Sequence, residues 1–201
     1  MADFTGIYAK SYKAGSVYDG NTWKTPDTRT EMRAGYKWSD NNWVMCIKLI
    51  LPTAAKSLTF SFCNAPGGVS KAATLRYKFT TAEDASLHNA TSNIPGDGSF
   101  TVNPGSYART TVTIEKKLAA GTHYVYIWTD NSAVQYNVLY TRWYDNSDGN
   151  GFYGSYEELV GCVYIDNGDS FDAYECYIDN GSSWEQYTPH IDNGTSWDVC
   201  G

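Results

Sequence analysis

Three segments of this chain align without a gap, and they restrict its fold more than any other feature. Residues 162–174 (CVYIDNGDSFDAY), 175–187 (ECYIDNGSSWEQY) and 188–200 (TPHIDNGTSWDVC) each carry Ile-Asp-Asn-Gly, a serine two residues on, an aromatic and then an acid. Ile165, Ile178 and Ile191 recur every 13 residues. Asn-Gly between strand-forming residues is the strongest short-range hairpin signal, because both residues tolerate the positive φ of a type I′ turn. With Asn167-Gly168 at the turn centre, Asp166 is predicted to face Asp169, Ile165 to face Ser170, and Tyr164 to face Phe171. The same register sets Tyr177 against Trp184 and His190 against Trp197. Each copy then carries an aromatic pair on one face, contributing about 0.2–1 kcal/mol, and an isoleucine on the other. A type I turn with a glycine bulge would move the register by one residue.

Three such hairpins bury little apolar surface alone, and short repeat arrays need neighbours. The tail is therefore expected to pack on the rest of the chain, on another copy, or on another protein, with homo-oligomerisation a direct consequence of the second case. Tandem copies of Y-I-D-N-G-x-S-W-[DE]-x-Y resemble those that end tail, baseplate and other virion-associated structural proteins of bacteriophages and prophages of gut Firmicutes. The resemblance covers about a fifth of the chain. It implies a particle component, assembled with other virion proteins and carried at or near the host-contacting surface.

Upstream, residues 4–144 read as short strands separated by turn residues. In the segment 73–80, Leu75, Tyr77 and Phe79 alternate with Arg76 and Lys78, the period of two expected of a sheet with one buried face. Leu58, Phe60 and Phe62 alternate with Thr59 and Ser61, and Val112 and Ile114 alternate with Thr111, Thr113 and Glu115. The run 43–51 (WVMCIKLIL) is almost continuously apolar and reads as a central strand buried on both faces, closed by Pro52. No segment keeps a 3.6-residue period for three turns; residues 82–87 allow one helical turn at most. The segment 92–106, with Pro95-Gly96-Asp97-Gly98 and Pro104-Gly105, reads as a long loop.

The spacing of these strands predicts an all-β chain with a jelly-roll-like β-sandwich over residues 1–145, a linker over 146–161, and the β-hairpin repeats over 162–201. The best linker signal is 145–151 (DNSDGNG). At Leu118-Ala119-Ala120-Gly121-Thr122-His123 a glycine turn leads into a strand whose Tyr124, Tyr126 and Trp128 share a face. This stretch is similar to a strand start found in galactose-binding-like jelly rolls.

Net charge and composition exclude some partners. A formal charge of −7 argues against nucleic acid, which needs a basic footprint, and against an anionic membrane surface. The first residues, Met1-Ala2-Asp3-Phe4-Thr5-Gly6, have neither a basic nor an apolar region, so no signal peptide is expected. Few charges and many Tyr, Trp, Asn and Gly suit an extracellular surface, whereas nothing directs export. A virion assembled in the host cytoplasm and released by lysis reconciles the two. The five cysteines (Cys46, Cys63, Cys162, Cys176, Cys200) have no Cys-x-x-Cys spacing and read as thiols; a disulfide among the last three would require an oxidising medium.

The candidate contact residues are Tyr164, Phe171, Tyr177, Trp184 and Trp197, with Asp166, Asp179 and Asp192 as hydrogen-bond acceptors. Aromatic rings beside acceptors stack on sugar rings or hold cationic groups. The plainer alternative is that the rings only staple the hairpins. Asp166 to Asp172 superficially suggests a calcium loop but lacks the ligand ladder and bidentate glutamate, so neither metal nor cofactor is expected. His88, His123 and His190 lie in no nucleophile or zinc motif, and Glu157-Glu158 reads as a solvated turn rather than a glycosidase pair. Asn89-Ala90-Thr91, Asn180-Gly181-Ser182 and Asn193-Gly194-Thr195 match glycosylation acceptors, a match without weight when no export is expected. We therefore expect a non-enzymatic virion structural protein acting in assembly or surface attachment. The alternative is a module that binds cell-wall or surface glycan; a hydrolase would need a cleft of convergent acids.

Overall fold

The apolar run around Met45 and Ile47 is the centre of the molecule because both of its faces find cover, with Trp43 to Ile47, Leu49 and Leu51 buried. In the computed structural model, residues 2, 4–13, 16–18, 23–24, 30–37, 41–63, 72–91, 93–105, 108–129, 138–143, 153–159, 162–166, 171–179, 181–187, 190–192 and 197–199 are described. The first ten strands are β1 (Gly6–Lys13), β2 (Ser16–Tyr18), β3 (Thr30–Lys37), β4 (Asn41–Leu51), β5 (Ala55–Cys63), β6 (Ala73–Thr80), β7 (Gly98–Val102), β8 (Arg109–Leu118), β9 (Gly121–Thr129) and β10 (Val138–Trp143). They are followed by β11 (Tyr153–Glu158), β12 (Cys162–Asp166), β13 (Phe171–Asp179), β14 (Trp184–Tyr187), β15 (His190–Asp192) and β16 (Trp197–Val199). The described helical structure is one 3-10 turn, Ala85–Leu87.

The large sheet runs β10-β3-β4-β9-β6-β7, with β1 paired to β4 and β2 paired to β1; a smaller sheet runs β11-β5-β8. Their facing sides share one core. Ile47, Leu49, Leu75, Val125 and Ile127 from the large sheet meet Leu58, Phe60, Phe62, Ile114 and Tyr156 from the small one. Two sheets burying alternate residues against each other make a β-sandwich, as expected. The alternation predicted for 73–80 is seen, with Leu75 fully buried and Tyr77 and Phe79 packed at the core margin.

β4 needs a second cover, because Val44 and Cys46 point away from that core. They join Tyr12, Tyr126 and Trp128 in a separate buried cluster on the outer face of the large sheet. The lid is the segment after β6, which contributes Leu87, Ala90 and Ile94. Buried Tyr and Trp need partners for their polar atoms. The Tyr126 hydroxyl accepts from the Asp84 N–H at 2.7 Å, and Trp128 Nε1 donates to the Thr91 carbonyl at 3.0 Å. Asp84 also caps the 3-10 turn by accepting from the Ser86 N–H.

Three sequence expectations change here. The stretch 92–106 is not loop throughout: β7 lies inside it and pairs with β6, burying Phe100 and Val102. Dense turn residues on either side conceal a strand of five residues. Second, the interval 146–161 contains β11, which pairs with β5 and buries Tyr156 at 1% exposure. The sandwich therefore extends past residue 145 as far as Leu159, whose N–H bonds the Ala54 carbonyl at 2.8 Å. The linker signal at 145–151 lies outside the described residues. Third, Glu157 and Glu158 sit on that strand, not on a turn.

At the tail, β12, β13 and β14 form an antiparallel three-stranded sheet, and β15 pairs with β16. Each repeat closes one hairpin, but the register differs from the predicted one by two residues. Tyr164 faces Ala173, Tyr177 faces Gln186 and His190 faces Val199. The loops are four residues long, not two. Asp179 shows why: its Oδ1 accepts from the Gly181 N–H at 2.8 Å, and Gly181 has φ +88°. An aspartate bonded two residues ahead stabilises this wider turn in place of the two-residue one. β13 runs unbroken from one repeat into the next, whereas β14 ends before Thr188-Pro189, where proline removes a ladder donor.

Candidate functional site

A register shift of two keeps side chains on the face they were predicted to occupy while exchanging their opposite partners. In the second repeat, Tyr177 and Asp179 on β13 lie on the same face as Trp184 on β14. Trp184 sits directly opposite Asp179, and Tyr177 is its diagonal neighbour. Trp184 is 70% exposed and Tyr177 49% exposed. Oδ1 of Asp179 is held by the loop N–H, on the residue directly opposite Trp184. Exposed rings beside a positioned acceptor offer a stacking platform and a hydrogen-bond anchor together.

The other two repeats have the same backbone register at these positions: Asp166 faces Phe171, and Asp192 faces Trp197. Thus the aspartates and the aromatics proposed from sequence are brought together, but as Asp–aromatic pairs rather than as Tyr–Trp pairs. The side chains of Tyr164, Asp166, Phe171, Asp192 and Trp197 lie outside the described residues. The opposite face of the second repeat carries Ile178 and Tyr187, 48% and 45% exposed. It therefore presents apolar surface to solvent on its second side as well.

Sequence reading missed a polar network under the lid of the sandwich. The Tyr12 hydroxyl donates to Glu83 Oε1 at 2.6 Å, and the Lys10 ammonium lies 3.4 Å from the same oxygen. The His88 ring stacks on Tyr12 with centroids 3.8 Å apart. His88 Nε2 is 3.7 Å from Glu83 Oε1, within ion-pair reach but beyond hydrogen-bonding distance, and it is buried without a hydrogen-bond partner. Burial pulls the Glu83 carboxyl upward, yet the Tyr12 hydroxyl, Lys10 and His88 together outweigh it and hold it below the usual carboxylate range. Burial pushes the His88 ring down from its ordinary value, with Glu83 opposing. Desolvation, reinforced by Glu83, raises the Tyr12 hydroxyl far above its usual range. The members of this network come from β1 and from the segment after β6, which the sequence marked only as one possible helical turn.

An open cleft of about 720 Å³ runs beside this lid, between residues 79–85 and 116–119, with His123 at its wall. Three of the charged groups that line it are engaged internally. Glu83 is bound as above, Asp84 Oδ1 accepts from Ser86, and Lys116 pairs with Asp97 at 3.1 Å. His123 Nε2 is bonded to the Ala119 carbonyl at 2.8 Å, so it braces the turn that leads into β9. Among the described residues no group of His, Cys, Asp and Glu is placed to hold a metal ion.

No protein-family model matches the chain, and no curated protein matches it. Among solved structures it is similar to the catalytic domain of a GH87 alpha-1,3-glucanase in complex with nigerose, at 12% identity and a TM-score of 0.26. The D1069A form of that domain in complex with tetrasaccharides matches at 12% identity and a TM-score of 0.27. The alignments span 80% and 84% of this chain but only 30% and 31% of those chains. Likeness at that level carries no argument about what this chain does.

Proposed function

We propose that this chain is a non-catalytic, virion-associated protein whose β-sandwich carries a repeat tail that attaches to surface glycan. The observation that carries the proposal is Trp184, exposed at the tail and set directly opposite Asp179. A ring with a neighbouring acceptor suits a sugar, which offers C–H groups to the indole face and hydroxyl donors to the carboxylate. One such subsite is weak; three on a 13-residue repeat raise avidity by effective concentration without any new contact. The virion setting rests on the resemblance of the repeats to those of phage structural proteins. The non-catalytic reading is supported by the internal engagement of Glu83, Asp84 and Lys116 in the cleft beside the lid.

The test is binding of the full chain to isolated bacterial cell walls and to immobilised neutral oligosaccharides, beside Trp184→Ala. The substitution should weaken binding at least fivefold while shifting the unfolding midpoint by no more than about 0.5 kcal/mol equivalent, since an exposed ring supports little structure. Equal binding by both proteins, or none by the wild type, overturns the glycan reading.

A second reading is favoured by Ile178 and Tyr187, which expose apolar surface on the other side of the tail sheet. That face suits assembly between copies or onto another virion protein. Light scattering of the full chain and of Ile178→Lys decides it: an oligomer that the charge dissociates supports assembly, and a monomer in both cases refutes self-assembly through this face.

A further inference from the structure

Among the described residues, Lys48 is a cation without an acid beside it. It lies on β4 in a row with Tyr8 of β1 and Tyr124 of β9, which are its direct cross-strand partners on the outer face of the large sheet. Its ammonium sits 4.7 Å from the centre of the Tyr8 ring and 5.1 Å from that of Trp23. Trp23 in turn packs on Tyr124, with centroids 5.9 Å apart, and covers Lys10 at 4.3 Å. Lys10 is paired with Glu83; among the described residues Lys48 has no carboxylate partner. The Tyr8 and Tyr124 hydroxyls likewise have no hydrogen-bond partner among the described residues. All four side chains are half-buried, so they are shaped by packing yet reach solvent.

We propose that this cluster is a binding site for an acidic sugar, a pyranose carrying a carboxylate or a phosphate. The inference rests on an ammonium with no acid partner and two phenols with no hydrogen-bond partner among the described residues, set beside an indole. A partly desolvated ammonium attracts a negative charge more strongly than one in bulk water. Ring faces on either side suit the C–H face of a pyranose, and two unbonded phenols supply donors for its hydroxyls. Burial raises the Tyr124 hydroxyl, which keeps its proton available for donation. A cation walled by rings is a local exception on a chain of formal charge −7. The site is separate from the repeats and does not depend on Trp184 contacting sugar.

The experiment is titration of the isotope-labelled full chain with glucuronate, glucose 6-phosphate, glucose and inorganic phosphate, followed by amide NMR shifts. An acidic sugar should give saturable shifts at Tyr8, Lys48 and Tyr124, at least fivefold stronger than glucose or inorganic phosphate. Lys48→Met, which keeps the aliphatic stem, should weaken that response at least fivefold, and Tyr124→Phe should weaken it less. Response to glucuronate alone identifies a carboxylate ligand, response to glucose 6-phosphate alone a phosphate ligand, and response to both shows that charge is the feature read. The proposal is overturned by no saturable response to either acid, or by an equal response to inorganic phosphate. It is also overturned by binding unchanged in both variants, or lost in Trp184→Ala while kept in Lys48→Met.

Discussion

The Tyr12 hydroxyl donates to Glu83 Oε1 at 2.6 Å, joining the outer face of the large sheet to the lid that covers it. The two residues are 71 apart in sequence, so this bond forms only when β1 and the segment after β6 have both reached their places. Removing the hydroxyl leaves a carboxylate with one donor fewer in a partly desolvated position. Tyr12→Phe should cost about 1.5–3 kcal/mol, the range for a hydrogen bond to a charged group. Urea unfolding checks the value, and an unchanged midpoint would show that the lid is held without this bond, by its apolar contacts and the bonds of Tyr126 and Trp128.

His88 should make the sandwich sensitive to acid. Its folded-state value is depressed, so below the ordinary histidine value of 6.5 the unfolded chain takes up a proton that the folded chain refuses. Its contribution is therefore complete above pH 6.5 and declines as the pH falls. Glu83, also depressed, adds loss in the same direction below its ordinary value of 4.5. His88→Phe keeps a ring on Tyr12 and removes the unbonded Nε2. It should leave stability at pH 7.5 unchanged or slightly higher and flatten the decline between pH 7 and 5. Thermal melts across that range decide; an equal slope in both proteins refutes the role of His88.

Gly121 opens β9 with φ +129°, and a Cβ there would meet nothing within 4 Å. Space is not the constraint; backbone conformation is. Gly121→Ala should destabilise by roughly 1–3 kcal/mol, the range for a residue held in a sparsely populated backbone region. A neutral effect in chemical denaturation would mean that the turn from β8 to β9 adjusts freely.

Cys46 and Cys176 are both free thiols, but Cys46 is fully buried and Cys176 only partly. Burial raises the Cys46 thiol well above its ordinary value, so little thiolate forms there at neutral pH. Alkylation of the native protein followed by peptide mass spectrometry should modify Cys176 first and reach Cys46 only after denaturant is added. Equal rates would place Cys46 within easy reach of solvent.

Much of this architecture was legible without coordinates where the signal is local. The alternation at Leu58, Phe60 and Phe62 marks a one-faced strand, the unbroken run through Met45 and Ile47 marks a strand covered on both sides, and Asn-Gly marks each tail turn. The candidate tail residues were legible for the same reason: an exact 13-residue period does not depend on what packs around it. The Lys48 site was not, because Tyr8, Trp23, Lys48 and Tyr124 belong to separate strands and loops whose proximity no spacing announces.

By itself, then, the sequence determined the all-β class, the faces of the principal strands and the place of each repeat hairpin, since these follow from side-chain period and backbone preference. Only the tertiary structure decided who pairs with whom. β11 is a strand because β5, about a hundred residues earlier, offers it an open edge; β7 is one because β6 does the same. The lid over Tyr126 and Trp128 exists because a two-faced β4 leaves apolar surface that something must cover. Even within a repeat, the bond from the Gly181 N–H to Asp179 widened the loop and moved the register by two. Periodicity is a property of neighbours along the chain, whereas cover, edge and register are properties of neighbours in space.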